Sequence, residues 1–322
     1  MNRIDKRKLI NIIKVVFLAL AVIVLYIMPG VVPRRINTIM IICFVYIALA
    51  QSWAILTGMT GLVSVTHAVY FGIGVYIPVI VVGYFEKSFI LGIVISLLFN
   101  MVIALIVGYI GSKLSGFYFT MALIGIQLTF YTLAMTMVKY TGGTVVGRKL
   151  PSQYSLPRPT LCRIALIIAI CTMIIYVLIR KSRFGTSLIA LRDNPNLALS
   201  LGSNIYFWRI MATEVSALMA SAVGTFYLVY LMAAHVEVFA GSISVKIMMV
   251  SLVGGTGSVW GPVLGSSMII IDEYIRGATP ANFAPYAVIF YAMVLIFMLT
   301  ILPDGIISLF TRKQKVTEIS TK

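Results

Sequence analysis

Long apolar runs restrict the fold of this chain more than any other feature of its sequence. Three of them cover residues 9–28, 89–111 and 117–138. Each is long enough to cross the hydrocarbon core of a bilayer as an α-helix, which takes about 20 residues. The composition agrees, because 61% of the residues are hydrophobic, whereas a soluble domain is closer to about half apolar. The sequence therefore predicts an all-α, polytopic integral membrane protein.

Further apolar runs bring the expected number of membrane segments to about eight to ten, counted by the length that a span requires. They cover residues 36–56, 161–179, 210–232 and 285–302, together with two segments that are interrupted by glycine. No polar stretch is longer than about thirty residues, which is too short for a separate soluble domain. We therefore expect residues 1–322 to form a single transmembrane domain.

The two glycine-rich segments cover residues 56–76, LTGMTGLVSVTHAVYFGIGVY, and 253–265, VGGTGSVWGPVLG. Glycine at this density weakens a continuous helix. We therefore interpret both segments as broken or re-entrant and buried in protein. Such a pair in opposite halves of a chain indicates a translocation pathway. For each glycine, the alternative to a pathway role is close helix packing. For the histidine, the alternative is a buried hydrogen-bonding role. The pathway interpretation selects Gly58, Gly61, Ser64, His67, Gly254, Gly255, Gly257 and Gly261.

Two charged residues, Glu214 and Lys246, fall inside apolar runs. A charge inside a bilayer is costly unless it is paired or hydrated. We expect these two side chains to lie close enough to form a compensating pair.

The net charge of +16 would suggest a nucleic-acid ligand in a soluble protein. Here the basic residues lie at the ends of apolar runs, where they set orientation and attract anionic lipid, so we expect no nucleic-acid partner. Their asymmetry predicts that both termini and the loop at residues 180–209 are cytoplasmic, with the loop at 139–160 outside. The cysteines lack metal-ligand spacing and are interpreted as small hydrophobes, with no metal site: Cys43, Cys162 and Cys171.

The basic loop at residues 180–209 contains a predicted short helix. Asn194 can cap it, and Pro195 suits the first helical position, where its missing N–H has no intrahelical role. Gly202 is expected to end it in a left-handed conformation. A short helix on a basic loop indicates a docking element for a partner, or else a connector that covers the end of the bundle.

Three patches together resemble the LivM-type permease subunit of bacterial branched-chain amino-acid ABC importers. They are the two glycine-rich segments and RFGTSLIALRDNPNLALSLGSN, at residues 183–204, with LSGFYFTMAL and TGG as smaller matches. The resemblance implies a bacterial inner-membrane location and three kinds of partner: cytosolic ATPase subunits, a second permease subunit and an extracytoplasmic binding protein. It places the basic loop in a cleft of the ATPase, with contacts from Arg192, Asp193, Pro195, Ala198 and Gly202.

The chain has no G-x-x-x-x-G-K-[ST] motif, so we expect it to bind no cofactor and to have no ATPase site, with ATP held by partner subunits. An intramembrane enzyme is disfavoured, because HExxH and G-x-S-x-G patterns are absent from the sequence. The remaining alternatives are an ABC permease for urea, amides or sugars and a secondary amino-acid transporter. Glycine-broken helices are also typical of the latter.

The predicted topology has a direct test. Single cysteines placed at Ser182 and Ser152 in a cysteine-free background should react with an impermeant thiol reagent from opposite sides of the membrane, since the Lys and Arg asymmetry puts their loops on opposite sides. Labelling of both positions from the same side would contradict the topology and the cytoplasmic assignment of the basic loop.

Overall fold

The computed structural model describes residues 16, 19–114, 116–143, 147–200, 202, 204–278, 293, 296–297, 300 and 305–308. The basic N-terminal residues and the start of the run at 9–28 lie outside the described residues. So do most of the predicted span at 285–302 and the C-terminal tail. The total of eight to ten membrane segments therefore stays a prediction.

Helices make up most of the described chain. In order they are α1 (Ala19–Gly30), α2 (Arg34–Trp53, continued by a π-helical turn at Ala54–Gly58), α3 (His67–Gly83), α4 (Phe89–Lys113), α5 (Gly116–Thr136), α6 (Val138–Thr141), α7 (Arg158–Lys181), α8 (Arg183–Asp193), α9 (Pro195–Ser200), α10 (Ile205–Leu231), α11 (Gly241–Gly254), α12 (Gly261–Gly265) and α13 (Ser267–Ala278).

Among the described residues, 5 helices are long and apolar enough to cross a membrane. They are α2 with its π-helical turn, α4, α5, α7 and α10, and α3 and α11 are shorter apolar helices. A bilayer forces a spanning backbone to satisfy its own hydrogen bonds, which a helix does within one segment. The predicted all-α, multi-pass membrane character is confirmed.

The centre of the bundle is formed by α2 and α10, and α4 and α5 lie at its edge. Within their apolar windows 78% of α2 and 61% of α10 is buried, against 28% of α4 and 22% of α5. Glycine lets α3 and α10 touch backbone to backbone, since a Cβ added at Gly74 would lie 2.9 Å from the Cα of Ser221. Small residues at such contacts are typical of helix packing in membranes.

The two polar loops lie at opposite ends of α10. The loop at 180–209 includes the first residues of α10, which begins at Ile205, whereas a two-stranded ribbon of β1 (Arg148–Lys149) and β2 (Ala233–Ala234) follows its last residue. With 27 residues, α10 is about 40 Å long, which exceeds the hydrocarbon thickness of about 30 Å.

Lys246 has a different partner from the predicted one. Its Nζ lies 2.8 Å from Oδ2 of Asp272, so the ion pair joins α11 to α13. Asp272 is 2% exposed. The predicted pairing with Glu214 is wrong, because both carboxylate oxygens of Glu214 are buried without a hydrogen-bonding partner among the described residues. Local sequence cannot reveal which helix lies opposite Lys246, and the structure puts α13 there.

The Lys246–Asp272 pair predicts a specific pattern of stability in detergent. Lys246→Met or Asp272→Asn alone should lower the free energy of unfolding by about 3–5 kcal/mol, since each removes one member of an ion pair whose carboxylate is buried. The double variant should lose less than the sum of the single losses. Thermal unfolding measures the cycle, and Glu214→Gln combined with Lys246→Met serves as an additive control. Additive losses for Lys246→Met and Asp272→Asn would contradict the pairing.

Candidate functional site

The basic loop is a helical arm packed against the bundle, formed by α8 and α9 (residues 183–200). Ser182 begins α8, since its Oγ accepts a hydrogen bond from the Gly185 N–H at 3.3 Å. Leu188 and Leu191 on the inner face of α8 are 0% and 4% exposed. Leu188 belongs to an apolar cluster with Ile55 of the π-helical turn. The arm therefore lies directly over the end of α2.

The predicted short helix of the arm is present and begins at Pro195. The Ala198 N–H donates to the Asn194 carbonyl at 3.1 Å, and Gly202 follows with φ +81, the left-handed conformation that favours glycine. Ala198 is 6% exposed, so its methyl group faces this chain instead of a partner. Leu199 is 50% exposed and is the apolar group that this helix presents outward.

Arg192 joins the arm to the first glycine-rich segment. Its Nη1 donates to the Gly58 carbonyl at 2.7 Å. A Cβ added at Gly61, where φ is +75, would lie 2.9 Å from Cγ of Arg192. Nη2 also contacts Oδ1 of Asp193 at 2.9 Å, and the Asp193 side chain is 61% exposed. Arg192 thus binds its own chain, whereas Asp193 lies on the surface.

The second glycine-rich segment meets the same end of the bundle. A Cβ added at Gly58 would lie 2.9 Å from the carbonyl oxygen of Thr256. The Tyr176 hydroxyl donates to that carbonyl at 3.2 Å, and Arg180 donates to the carbonyl of Gly257. Gln51 Nε2 donates to the Val259 carbonyl at 2.7 Å. The two segments, α7 and the arm therefore form one junction.

Most glycines of the second segment serve close packing. A Cβ at Gly254 would overlap the carbonyl of Gly261, and a Cβ at Gly261 would overlap that of Gly255. Gly255 also has φ +108, and Gly257 has open space around it. The structure thus supports the packing explanation for Gly254 and Gly261, and it does not test whether any of these glycines lines a pathway.

His67 and Ser64 form a buried hydrogen-bonded chain at the start of α3. Ser216 donates to the Ser52 carbonyl at 2.7 Å, so its oxygen accepts from Nε2–H of His67 at 2.8 Å. Nδ1 of His67 then accepts from the Ser64 hydroxyl at 3.2 Å. Because both ring nitrogens are used, His67 fits the hydrogen-bonding explanation, and the chain joins the first glycine-rich segment to α2 and α10.

A half-open cavity of about 320 Å³ lies where α3 and α11 begin. Gln127 of α5 spans its polar side: Nε2 donates to the Phe239 carbonyl at 3.2 Å, and Oε1 accepts from Ser244 at 3.0 Å. Ser244 in turn accepts from the Ala68 N–H at 3.0 Å. Apolar side chains form most of the remaining lining: Val65, Ile124, Leu128, Tyr131, Phe239 and Val245.

This cavity was missed by sequence reasoning, which selected the glycines instead. None of the glycines assigned to the pathway lines it. A buried polar residue within a long apolar run, as Gln127 is, was the available signal. Among the described residues no three His, Cys, Asp or Glu side chains are grouped to hold a metal ion.

The packing explanation makes a matched pair of predictions for the second segment. Gly254→Ala should lower the free energy of unfolding by about 1–3 kcal/mol, because the added methyl group has no space. Gly257→Ala is the control and should change it by less than about 0.5 kcal/mol, because nothing lies within 4 Å of its added Cβ. Thermal unfolding in detergent measures both. Equal losses would show that the two glycines do not differ in packing.

Comparison with known proteins places the chain in a family. A family model described as "Branched-chain amino acid transport system / permease component" matches residues 35–299. A Methanocaldococcus jannaschii protein named "Probable branched-chain amino acid transport permease protein LivH" is 29% identical over 146 residues. That match covers 44% of this chain and 46% of the relative, so it spans less than half of either protein. No solved structure shows significant similarity to the chain.

The LivM-type subtype stays a prediction, because the family description gives no subtype and the relative is named LivH. The family itself is shown, since its model covers well over half of the sequence. The chain belongs to the family of permease components of branched-chain amino acid transport systems.

Proposed function

We propose that the chain is the LivM-type permease subunit of an ABC importer in a bacterial inner membrane, with both termini and the helical arm in the cytoplasm. It moves branched-chain amino acids that an extracytoplasmic binding protein delivers. Cytosolic ATPase subunits bind the ATP, and this chain has no catalytic role. The family membership and the name of the archaeal relative support the substrate class.

The observation on which the proposal depends is the bonding of the arm and its flanking helix to both glycine-rich segments. Arg192 of α8 bonds to Gly58, and Arg180 at the end of α7 bonds to Gly257. A displacement of the arm by a bound ATPase therefore reaches both broken segments through hydrogen bonds. A connector that only covered the end of the bundle would not need bonds to both.

The outer face of the arm suits a protein partner. Leu199 is exposed on α9, and Asn196 of α9 and Asp193 at the end of α8 are exposed as well. One apolar side chain surrounded by polar ones is the usual composition of a small docking surface. The contacts expected of Ala198 are reassigned to Leu199, because Ala198 is buried within this chain.

The cavity beside Gln127 is the candidate passage for substrate. It lies where two discontinuous helices begin, the arrangement that places substrate sites in many transporters. Its lining is mainly apolar, which suits an aliphatic side chain better than urea or a sugar. Part of its lining comes from α5, of whose apolar window only 22% is buried. A second permease subunit packed against α5 would enclose the passage.

A secondary transporter is the competing function, since helices that begin inside the membrane are found there too. The assay that separates the two is uptake of radiolabelled leucine into proteoliposomes that contain the permease pair, the ATPase and the binding protein. Uptake that requires ATP and the binding protein supports the importer. Uptake by this chain without the ATPase, driven by a proton or sodium gradient, would contradict it.

In that assay Arg192→Gln should reduce uptake by about tenfold, since a hydrogen bond from a charged group contributes about 1.5–3 kcal/mol. The ATPase should still co-purify, because Leu199 and its neighbours are unchanged. Arg183→Gln is the matched control: it makes the same substitution at an exposed position of α8 outside the docking surface, where a surface change is usually within about 0.5 kcal/mol, and should leave uptake near the wild-type rate. Equal uptake by Arg192→Gln and wild type would show that this bond does not transmit the motion.

A further inference from the structure

Glu214 is a buried acid inside α10. Glu214 is 5% exposed, and neither of its carboxylate oxygens has a hydrogen-bonding partner among the described residues. A bare carboxylate inside a membrane bundle is strongly unfavourable, so such a group is neutralised by something positive. The groups on the helices packed against α10 indicate which positive species is available.

The packing of α4 against α10 identifies the neighbours of Glu214. A Cβ at Gly108 would lie 2.8 Å from Cα of Ile210, and the Ser96 and Ser221 hydroxyl oxygens lie 3.0 Å apart. In this antiparallel register Glu214 is level with Ala104. Ala104 is fully buried and carries only a methyl group.

Asn100 lies one turn along the same face of α4, about 6 Å from that level. Its Nδ2 donates to the Tyr70 carbonyl at 3.2 Å, and its Oδ1 is buried without a partner among the described residues. The fully buried Tyr70 hydroxyl lies within electrostatic range of the Glu214 carboxyl. Glu214, Asn100 and Tyr70 are thus buried oxygen-bearing side chains on three helices that pack against one another, α10, α4 and α3.

No described basic side chain supplies the positive charge. Both ring nitrogens of His67 are bonded to serines, at 3.2 Å and 2.8 Å. Arg209, on the same helix as Glu214, donates to the Gly111 carbonyl at 2.9 Å. Lys246 is bonded to Asp272. Other titratable or charged groups on elements packed against α10 are engaged elsewhere: Lys113 lies over the ring of Tyr109, Tyr176 and Arg180 donate to the second glycine-rich segment, Arg192 donates to Gly58, and Arg158 donates to Thr38.

We propose that Glu214, with Asn100 Oδ1 and the Tyr70 hydroxyl, forms an internal binding site for a small monovalent cation, either Na⁺ or a proton. The ligand atoms are all oxygens, which hard cations prefer. A single positive charge neutralises the single carboxylate, whereas a divalent ion would leave an excess charge in an apolar region.

The site would link the cation to the broken segment. Glu214 is two residues from Ser216, which bonds to His67, the first residue of α3. A bound cation would draw together α4, α10 and the start of α3. Its release would weaken the contact between the first glycine-rich segment and the bundle core.

Thermal unfolding of the purified chain in detergent tests the proposal. One series varies NaCl at constant pH and constant ionic strength, with choline chloride as the replacement salt, and a second varies pH without sodium. A bound ligand raises the melting temperature as its concentration rises, here by at least about 2 °C. A rise with Na⁺ identifies sodium, and a rise with falling pH but not with Na⁺ identifies the proton.

Glu214→Gln should abolish the rise in melting temperature in the series, Na⁺ or pH, to which the wild type responds. Tyr70→Phe should shift the midpoint of that rise to a higher cation concentration. Glu237→Gln is the matched control, since Glu237 is an exposed acid outside the proposed site, and it should respond like wild type. If wild type and Glu214→Gln respond in parallel to both Na⁺ and pH, the proposal is overturned.

A second measurement on the wild-type chain covers the case in which Glu214→Gln does not fold. Dicyclohexylcarbodiimide modifies protonated carboxyl groups in apolar surroundings, and mass spectrometry locates the adduct. Modification of Glu214 that Na⁺ suppresses supports the sodium site, and modification that only rising pH suppresses supports the proton site. An adduct yield at Glu214 that neither Na⁺ nor pH alters would overturn both forms. These experiments need no ATPase or substrate, so their outcome is independent of the proposed transport function.

Discussion

The carbonyl groups freed by the two helix breaks set the main constraint on this structure. A bilayer interior offers no water to a broken helix, so each exposed carbonyl needs a donor from the protein. Side chains of neighbouring elements supply these donors. The bonded pairs are Arg192 with Gly58, Trp53 with Ser64, Tyr176 with Thr256, Arg180 with Gly257 and Gln51 with Val259.

These donors explain why the arm, α7 and both glycine-rich segments form one junction. Two of them, Arg192 and Arg180, come from the arm and the helix end that precedes it. The bonds that satisfy the broken backbone are therefore the same bonds that would transmit a push from a partner. Under the proposed function, this overlap would let the arm act on the two glycine-rich segments.

Two buried acids show different solutions to the cost of charge in a membrane. Asp272 is paired with Lys246 at 2.8 Å, which joins α11 to α13. Glu214 has no such partner among the described residues, and the partner proposed for it is a bound cation. The first arrangement is a fixed cross-link between helices, whereas the proposed cation site could be filled and emptied.

The sequence by itself determined the features that depend on local chemistry. The apolar runs predict the spanning helices, Pro195 begins the short helix of the arm, and Gly202 takes the left-handed conformation that follows it. Each of these depends on length, on hydrophobicity or on the dihedral preferences of one residue, all of which can be read along the chain. The family resemblance was also readable there, because it rests on ordered motifs.

Tertiary structure decided which side chains meet. The inward direction of Arg192, the pairing of Lys246 with Asp272 and the cavity beside Gln127 each join residues far apart in the sequence. In a bundle that is apolar on every face, hydrophobic periodicity does not specify which helix lies against which. That choice depends on close contacts such as Gly74 against Ser221, which form only when the helices pack.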